Sequence, residues 1–143
     1  NDFFIDHRKT KLNNSQFIKL IKIPLHRNNI FKEYKISKRI DDDISAVCAS
    51  FNLKFKNNII KSVSIAYGGM AAIPKRALLC ETSLLNKELS EKNINLAQQF
   101  LEKDFNPIDD MRASSKYRMK VAKNLLFKCF QEIKNKKLIR INA

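Results

Sequence analysis

Three cysteines and two histidines are the residues of this chain best suited to hold a metal or attack a substrate, and their spacing argues against both roles. Cys48, Cys80 and Cys129 lie far apart with no C-x-x-C pair, whereas a zinc or iron–sulfur site needs closely spaced thiolates. The same spacing fits reduced thiols of a cytoplasmic protein better than a disulfide framework. His7 and His26 are isolated among basic and polar neighbours, and no serine has an evident histidine partner. On its own, the chain is expected to catalyse nothing.

Two other groupings carry more information. Lys35 is followed by Lys38-Arg39 and then by Asp41-Asp42-Asp43. As a bare pattern this is a solvated strand lysine and a charged loop. Three adjacent carboxylates repel one another and call for a cation nearby. Gly68-Gly69 is the one glycine pair. It lacks the G-x-G-x-x-G spacing and the strand-to-helix setting of a phosphate cradle, and reads as a structural turn or a place of close approach.

The net charge of +14 invites a nucleic-acid reading, because clustered cations release counterions from a phosphate backbone. Here the lysines are scattered between apolar residues, so a basic nucleic-acid-binding module is only the second alternative. At 143 residues and 44% hydrophobic, the chain is long enough for one cored domain. No apolar run approaches the roughly 18 residues of a membrane span. The sequence starts Asn-Asp-Phe-Phe, and a fragment of something longer is expected.

These residues need elements to position them. Phe17 to Ile23 alternate and predict a strand closed by Pro24. Arg27-Asn28-Asn29 reads as a turn, and Ile30 to Ile36 as a second strand. From Ser45 to Phe55, Val47, Ala49, Phe51, Leu53 and Phe55 share one face. Asn57-Asn58 then suits a tight hairpin, with Ile59 to Tyr67 as the return strand. Beyond the glycines the period changes. A short helix around Ala77 to Leu85 is expected, with Pro74 in its first turn. A second helix is capped by Ser90 and ends near Asp104; a third, capped by Asp109 or Asp110, runs from about Ala113 to Ile133. The fold class that follows is α+β: a small antiparallel sheet of three or four strands packed against three C-terminal helices.

Four segments share an order and spacing with a known family: Phe3 to Thr10 (FFIDHRKT), Tyr34 to Ile44 (YKISKRIDDDI), Tyr67 to Ala72 (YGGMAA) and Asp110 to Arg118 (DMRASSKYR). Together they resemble the molybdenum hydroxylase flavoproteins, and within them the small FAD-binding subunit of the xanthine dehydrogenases. The resemblance implies a segment of an enzyme that hydroxylates purines at a molybdopterin centre, passes electrons through [2Fe–2S] clusters to FAD, and reduces NAD. The clusters and molybdopterin would be held elsewhere. The equivalent segment of a carbon monoxide, nicotinate or other aromatic or aldehyde hydroxylase is the first alternative.

The resemblance also implies a division and a site. Residues 1–24 would be the tail of the main FAD-binding domain, and 25–143 the C-terminal flavoprotein domain. Lys35 would approach the flavin, Ile18 would pack beside it, and the loop holding Asp42 would lie at its edge. Arg8 would neutralise part of that acidic loop. Family members with a second basic residue carry it where Ile40 stands here, which puts any loop switch built on it in doubt. Partners would be the rest of the FAD-binding subunit and the molybdopterin subunit, with no nucleic acid and no membrane. Asp110, Arg112, Tyr117 and Arg118 would cap and brace the last helix.

Overall fold

The computed structural model describes residues 3–24, 28–39 and 43–139. A two-stranded ribbon, β1 (Phe4–Asp6) and β2 (Lys9–Thr10), precedes a four-stranded antiparallel sheet. That sheet has the order β3 (Ile30–Ile36), β4 (Val47–Lys56), β5 (Ile59–Gly68) and β6 (Lys75–Arg76). Three helices follow among the described residues: α1 (Leu78–Leu84), α2 (Glu91–Asp104) and α3 (Ser115–Asn135). The expected α+β class, with helices on one face of an antiparallel sheet, is what the chain adopts.

The hairpin forms as its residues dictate. Asn57 and Asn58 both take positive φ, 51° and 61°, the two-residue geometry that matches strand twist. Along β4 and β5, alternate side chains are buried against the helices: Ala49, Phe51 and Leu53 face Tyr67, Ile65 and Val63 across the ladder. An aromatic row spans the inner face from sheet edge to helix layer. Tyr34, Phe51, Tyr67 and Phe105 sit in sequence with ring centroids 5.9, 5.9 and 5.4 Å apart. Such tilted and edge-on pairs add about 0.5–1.5 kcal/mol each beyond burial.

Carboxylates complete the backbone where regular elements stop. β6 covers only Ala66 and Tyr67 of β5, so the next free amide, Ile65 N–H, donates instead to Glu81 Oε1 of α1 at 2.7 Å. α1 has no cap of its own at Ala77. Asp104, at the far end of α2, accepts from the Leu79 and Cys80 amides at 2.9 Å each and caps α1 from across the layer. Ser90 caps α2 as predicted, accepting from Asn93 N–H.

Three expectations are corrected. Residues 17–24 form no strand, and Phe17, Ile21 and Ile23 are at least three-quarters exposed. Alternation marks two faces, but a strand also needs a partner ladder, and none of the described strands pairs with this segment. Pro74 does not start a helix; it precedes β6, and α1 begins at Leu78. The cap of α3 is Ser114, which accepts from Tyr117 N–H. Asp109 and Asp110 mimic caps by accepting from Ser115 N–H at 2.6 Å, and from Arg112 and Ala113 N–H at 2.8 and 3.1 Å.

Candidate functional site

β3 is an edge strand whose alternate residues have opposite fates. Lys32 and Tyr34 turn inward to the helices, while Phe31, Glu33 and Lys35 are exposed on the outer face. The register places Lys35 opposite Cys48, and Cys48 opposite Gly68, so these three make one row across the open face. Among the described residues Lys35 has no hydrogen-bond or ion-pair partner.

The backbone that carries Lys35 is held from the inner side. Tyr34 Oη donates to Glu132 Oε2 at 2.9 Å, and Lys32 Nζ lies 3.1 Å from the same oxygen. Glu132 Oε1 accepts from Lys128 Nζ at 2.8 Å and from Ile139 N–H at 3.1 Å. Burial opposes the charged form of Glu132, but the hydrogen bonds from Lys128, the Ile139 amide, Lys32 and Tyr34 outweigh it and hold its carboxyl down at about 2. The same proximity, with burial foremost, pushes the Tyr34 phenol far above its ordinary value.

After β3 the chain turns on local bonds. Ser37 Oγ donates to the Arg39 carbonyl at 2.6 Å, Arg39 N–H donates to Asp43 at 3.0 Å, and Ala46 N–H donates to the Ile36 carbonyl at 2.8 Å. Lys38 Nζ reaches the Met111 carbonyl at 2.8 Å and joins this loop to the segment before α3.

Arg118 holds the other end of the row. Its guanidinium is 3% exposed, donates to the carbonyls of Ala46 and of Gly69, the latter at 3.0 Å, and pairs with Asp110 at 2.6 Å. Asp110, bound by the Ala113 and Arg112 amides and then by Arg118, has its carboxyl lowered to about 2. Bracing is therefore the observed role of Asp110 and Arg118; Arg112 adds a 3.7 Å contact to Asp110, and Tyr117 contributes only its amide. The Gly68-Gly69 corner borders a cavity of about 390 Å³ that Arg112 and Arg118 also line.

Of the sequence-derived site residues, Lys35 stands on the open face. Ile18 lies half-exposed in the coil before the sheet, outside the core. Asp42, with Ile40 and Asp41, lies outside the described residues, as does His26. Arg8 sits exposed at the β1–β2 turn with φ 57°. Sequence reasoning missed the Lys32–Tyr34–Glu132–Lys128 cluster, because its members read as ordinary surface charges separated by up to 98 residues.

Residues 32–133 match the CO dehydrogenase flavoprotein C-terminal domain. The chain is 30% identical over 132 residues to the glyceraldehyde dehydrogenase medium chain of Sulfolobus acidocaldarius, covering 92% of this chain and 47% of that one. It is 35% identical over 107 residues to a xanthine dehydrogenase of Oryza sativa subsp. japonica, 68% of this chain and 8% of that one. In fold it resembles quinoline 2-oxidoreductase from Pseudomonas putida 86, with a TM-score of 0.81, 20% identity, and coverage of 92% and 45%. The Cu,Mo-CO dehydrogenase matches with a TM-score of 0.80 at 21% identity, over 87% of this chain and 44% of that one.

A small antiparallel sheet with three helices on one face and a lysine-bearing edge strand thus defines a flavoprotein domain of the molybdenum hydroxylase type. The chain belongs to the CO dehydrogenase flavoprotein C-terminal domain family. It spans about half the length of the medium chain it matches and under a tenth of the xanthine dehydrogenase.

Of the residues expected to hold a flavin, Lys35 alone is described on the outer face of the sheet. Lys35 is an exposed cation without a partner among the described residues, and a flavin when bound would supply the electron-accepting ring whose added negative charge such a cation stabilises. The glycine pair does not fit a phosphate cradle, because the special geometry of Gly69 is used by Ala46 and Arg118.

Proposed function

We propose that this chain completes the flavin site of an NAD-linked xanthine dehydrogenase, supplying the wall on which Lys35 stands. Lys35 places its positive charge where reduction would load the ring with negative charge. The observation that carries this reading is a lysine on the open side of the edge strand, without a hydrogen-bond or ion-pair partner among the described residues, in a domain of a flavoprotein family. Residues 1–24 end the main FAD-binding domain and 25–143 form the C-terminal one. The exposed Phe17, Ile18, Leu20, Ile21 and Ile23 are then covered by the preceding domain. The loop of Asp42 lies at the ring's edge, and Ile18 packs beside it. The [2Fe–2S] clusters, the molybdopterin and the purine belong to other parts of a cytoplasmic enzyme. One lysine and one apolar contact cannot anchor a dinucleotide, so this chain alone does not retain FAD.

The test is Lys35→Ala in the complete enzyme. Loss of the cation makes reduction harder by about 1–2 kcal/mol, a fall in flavin potential of roughly 20–40 mV for two electrons. Wild-type potential, flavin content and NAD reduction together would refute the role of Lys35.

A second reading has its own support. The glyceraldehyde dehydrogenase medium chain matches 92% of this chain and a xanthine dehydrogenase of Blastobotrys adeninivorans 94%, both at 30% identity, so an aldehyde or other molybdenum hydroxylase is the alternative. Turnover of purines against aldehydes by the assembled enzyme separates the two.

A further inference from the structure

Gly68 and Gly69 are neighbours, yet the fold requires glycine only at the second. At Gly69 φ is +79°, and an added Cβ would lie 2.3 Å from the Ala46 carbonyl oxygen and 3.0 Å from Arg118 Nη1. At Gly68 the backbone is ordinary strand, and an added Cβ would meet only the Cys48 Cβ, at a comfortable 3.6 Å. Alanine at 68 would fit, and by narrowing the unfolded ensemble it would stabilise the chain slightly. A glycine in a strand otherwise weakens it, and often marks where another group comes close. Among the described residues, Cys48 Cβ alone comes within 4 Å of that position.

The position of Gly68 says what lies against it. It ends the outer-face row Lys35, Cys48, Gly68. Two strand spacings separate the ends, roughly 10 Å, comparable to the long axis of three fused six-membered rings. Beside Gly68 lies the cavity bordered by Ser45, Ala71 and Ala72, with His7 of the β1–β2 turn and Ile44 also lining it. Arg112 and Arg118 also line that cavity, and the buried Nε of Arg118 has no acceptor among the described residues. Arg118 also grips the Gly69 carbonyl and so fixes the height of the corner. Resting on the flavin reading above, we infer that Gly68 is a flavin-contact position. It lacks a side chain so that the isoalloxazine ring can lie flat over Gly68 and Cys48 with its far end at Lys35.

The experiment uses the complete flavoprotein, stripped of FAD and titrated back, with Gly68→Ala, Gly68→Val and Lys35→Ala in parallel. Flavin-free melting should be unchanged or slightly raised by Gly68→Ala, whereas Gly69→Ala should lower it. FAD affinity, read by fluorescence quenching, should fall about tenfold with alanine and further with valine, as expected for overfilling a close contact. Added FAD should also slow iodoacetamide labelling of Cys48 in the wild type. Unchanged affinity in both Gly68 variants, labelling of Cys48 indifferent to FAD, or a melting loss for Gly68→Ala equal to that of Gly69→Ala would each overturn the inference. If Lys35→Ala shifts the flavin potential while the Gly68 variants bind normally, the flavin reading survives and preceding polypeptide covers Gly68. If no variant has any effect on the flavin, both readings fall.

Discussion

Tyr34 on the edge strand and Glu132 in the last turns of α3 are joined by a 2.9 Å hydrogen bond across 98 residues of chain, immediately beside the exposed Lys35. Tyr34→Phe removes one of four donors to Glu132 and should cost about 1 kcal/mol. Glu132→Ala leaves Lys32 and Lys128 facing each other without their carboxylate, and should cost about 3 kcal/mol, near the low end for a broken buried pair because both lysines reach water. Urea unfolding of the two variants checks the order of these losses.

Acid should weaken the fold through two carboxylates. Glu132 and Asp110 have folded values of about 2, below their ordinary 4.5 and 3.8. A lowered folded value means stability that is fully present above the unfolded value and disappears as pH falls through the folded one. Denaturation midpoints should therefore hold near neutrality and decline between about pH 5 and pH 2. In Glu132→Gln the starting stability should be lower and the decline shallower over that window.

The three thiols should differ sharply in reactivity. Burial pushes Cys80 and Cys129 up to about 12, and both are inaccessible, whereas Cys48 is exposed in the middle of the outer-face row. Iodoacetamide at mildly alkaline pH should label one cysteine per native chain, identified as Cys48 by peptide mass, and all three in denaturant.

Deleting residues 1–24 should leave the four-stranded sheet and its helices intact, because none of these residues belongs to the core cluster. The full chain should bind an apolar dye through its exposed tail; the shortened one should bind much less. Equal far-ultraviolet circular dichroism per residue of the sheet and helices, with a large loss of dye fluorescence, is the expected result. Collapse of the shortened chain would put the domain boundary elsewhere.

What could be read from the residues follows a physical divide. The β4–β5 hairpin was legible because ten-residue alternation and two left-handed asparagines are local signals. The stripe of α3 was legible for the same reason: Ala122, Leu126 and Cys129 are buried as their spacing implies. β6 and the β1–β2 ribbon were not, since strands of two or three residues carry no period. The tail was misread because its alternation records faces with no partner strand among the described residues. At the site, Lys35 came from the resemblance alone, while the role of Arg118 at Gly69 depends on a contact 49 residues distant that no window of sequence contains.

The two-residue turn at Asn57-Asn58 has a consequence for assembly order. β4 and β5 can zip from that turn within microseconds, using contacts between residues close in the chain. Arg118, Tyr34 and Glu132 meet only after α3 exists, so the central hairpin ladder can form before the clamps that set its rim. A nascent chain released before α3 would present a formed hairpin whose flanking lysine strand still drifts, and such a species would keep its thiol at position 48 open while lacking any defined surface for a ring to settle on.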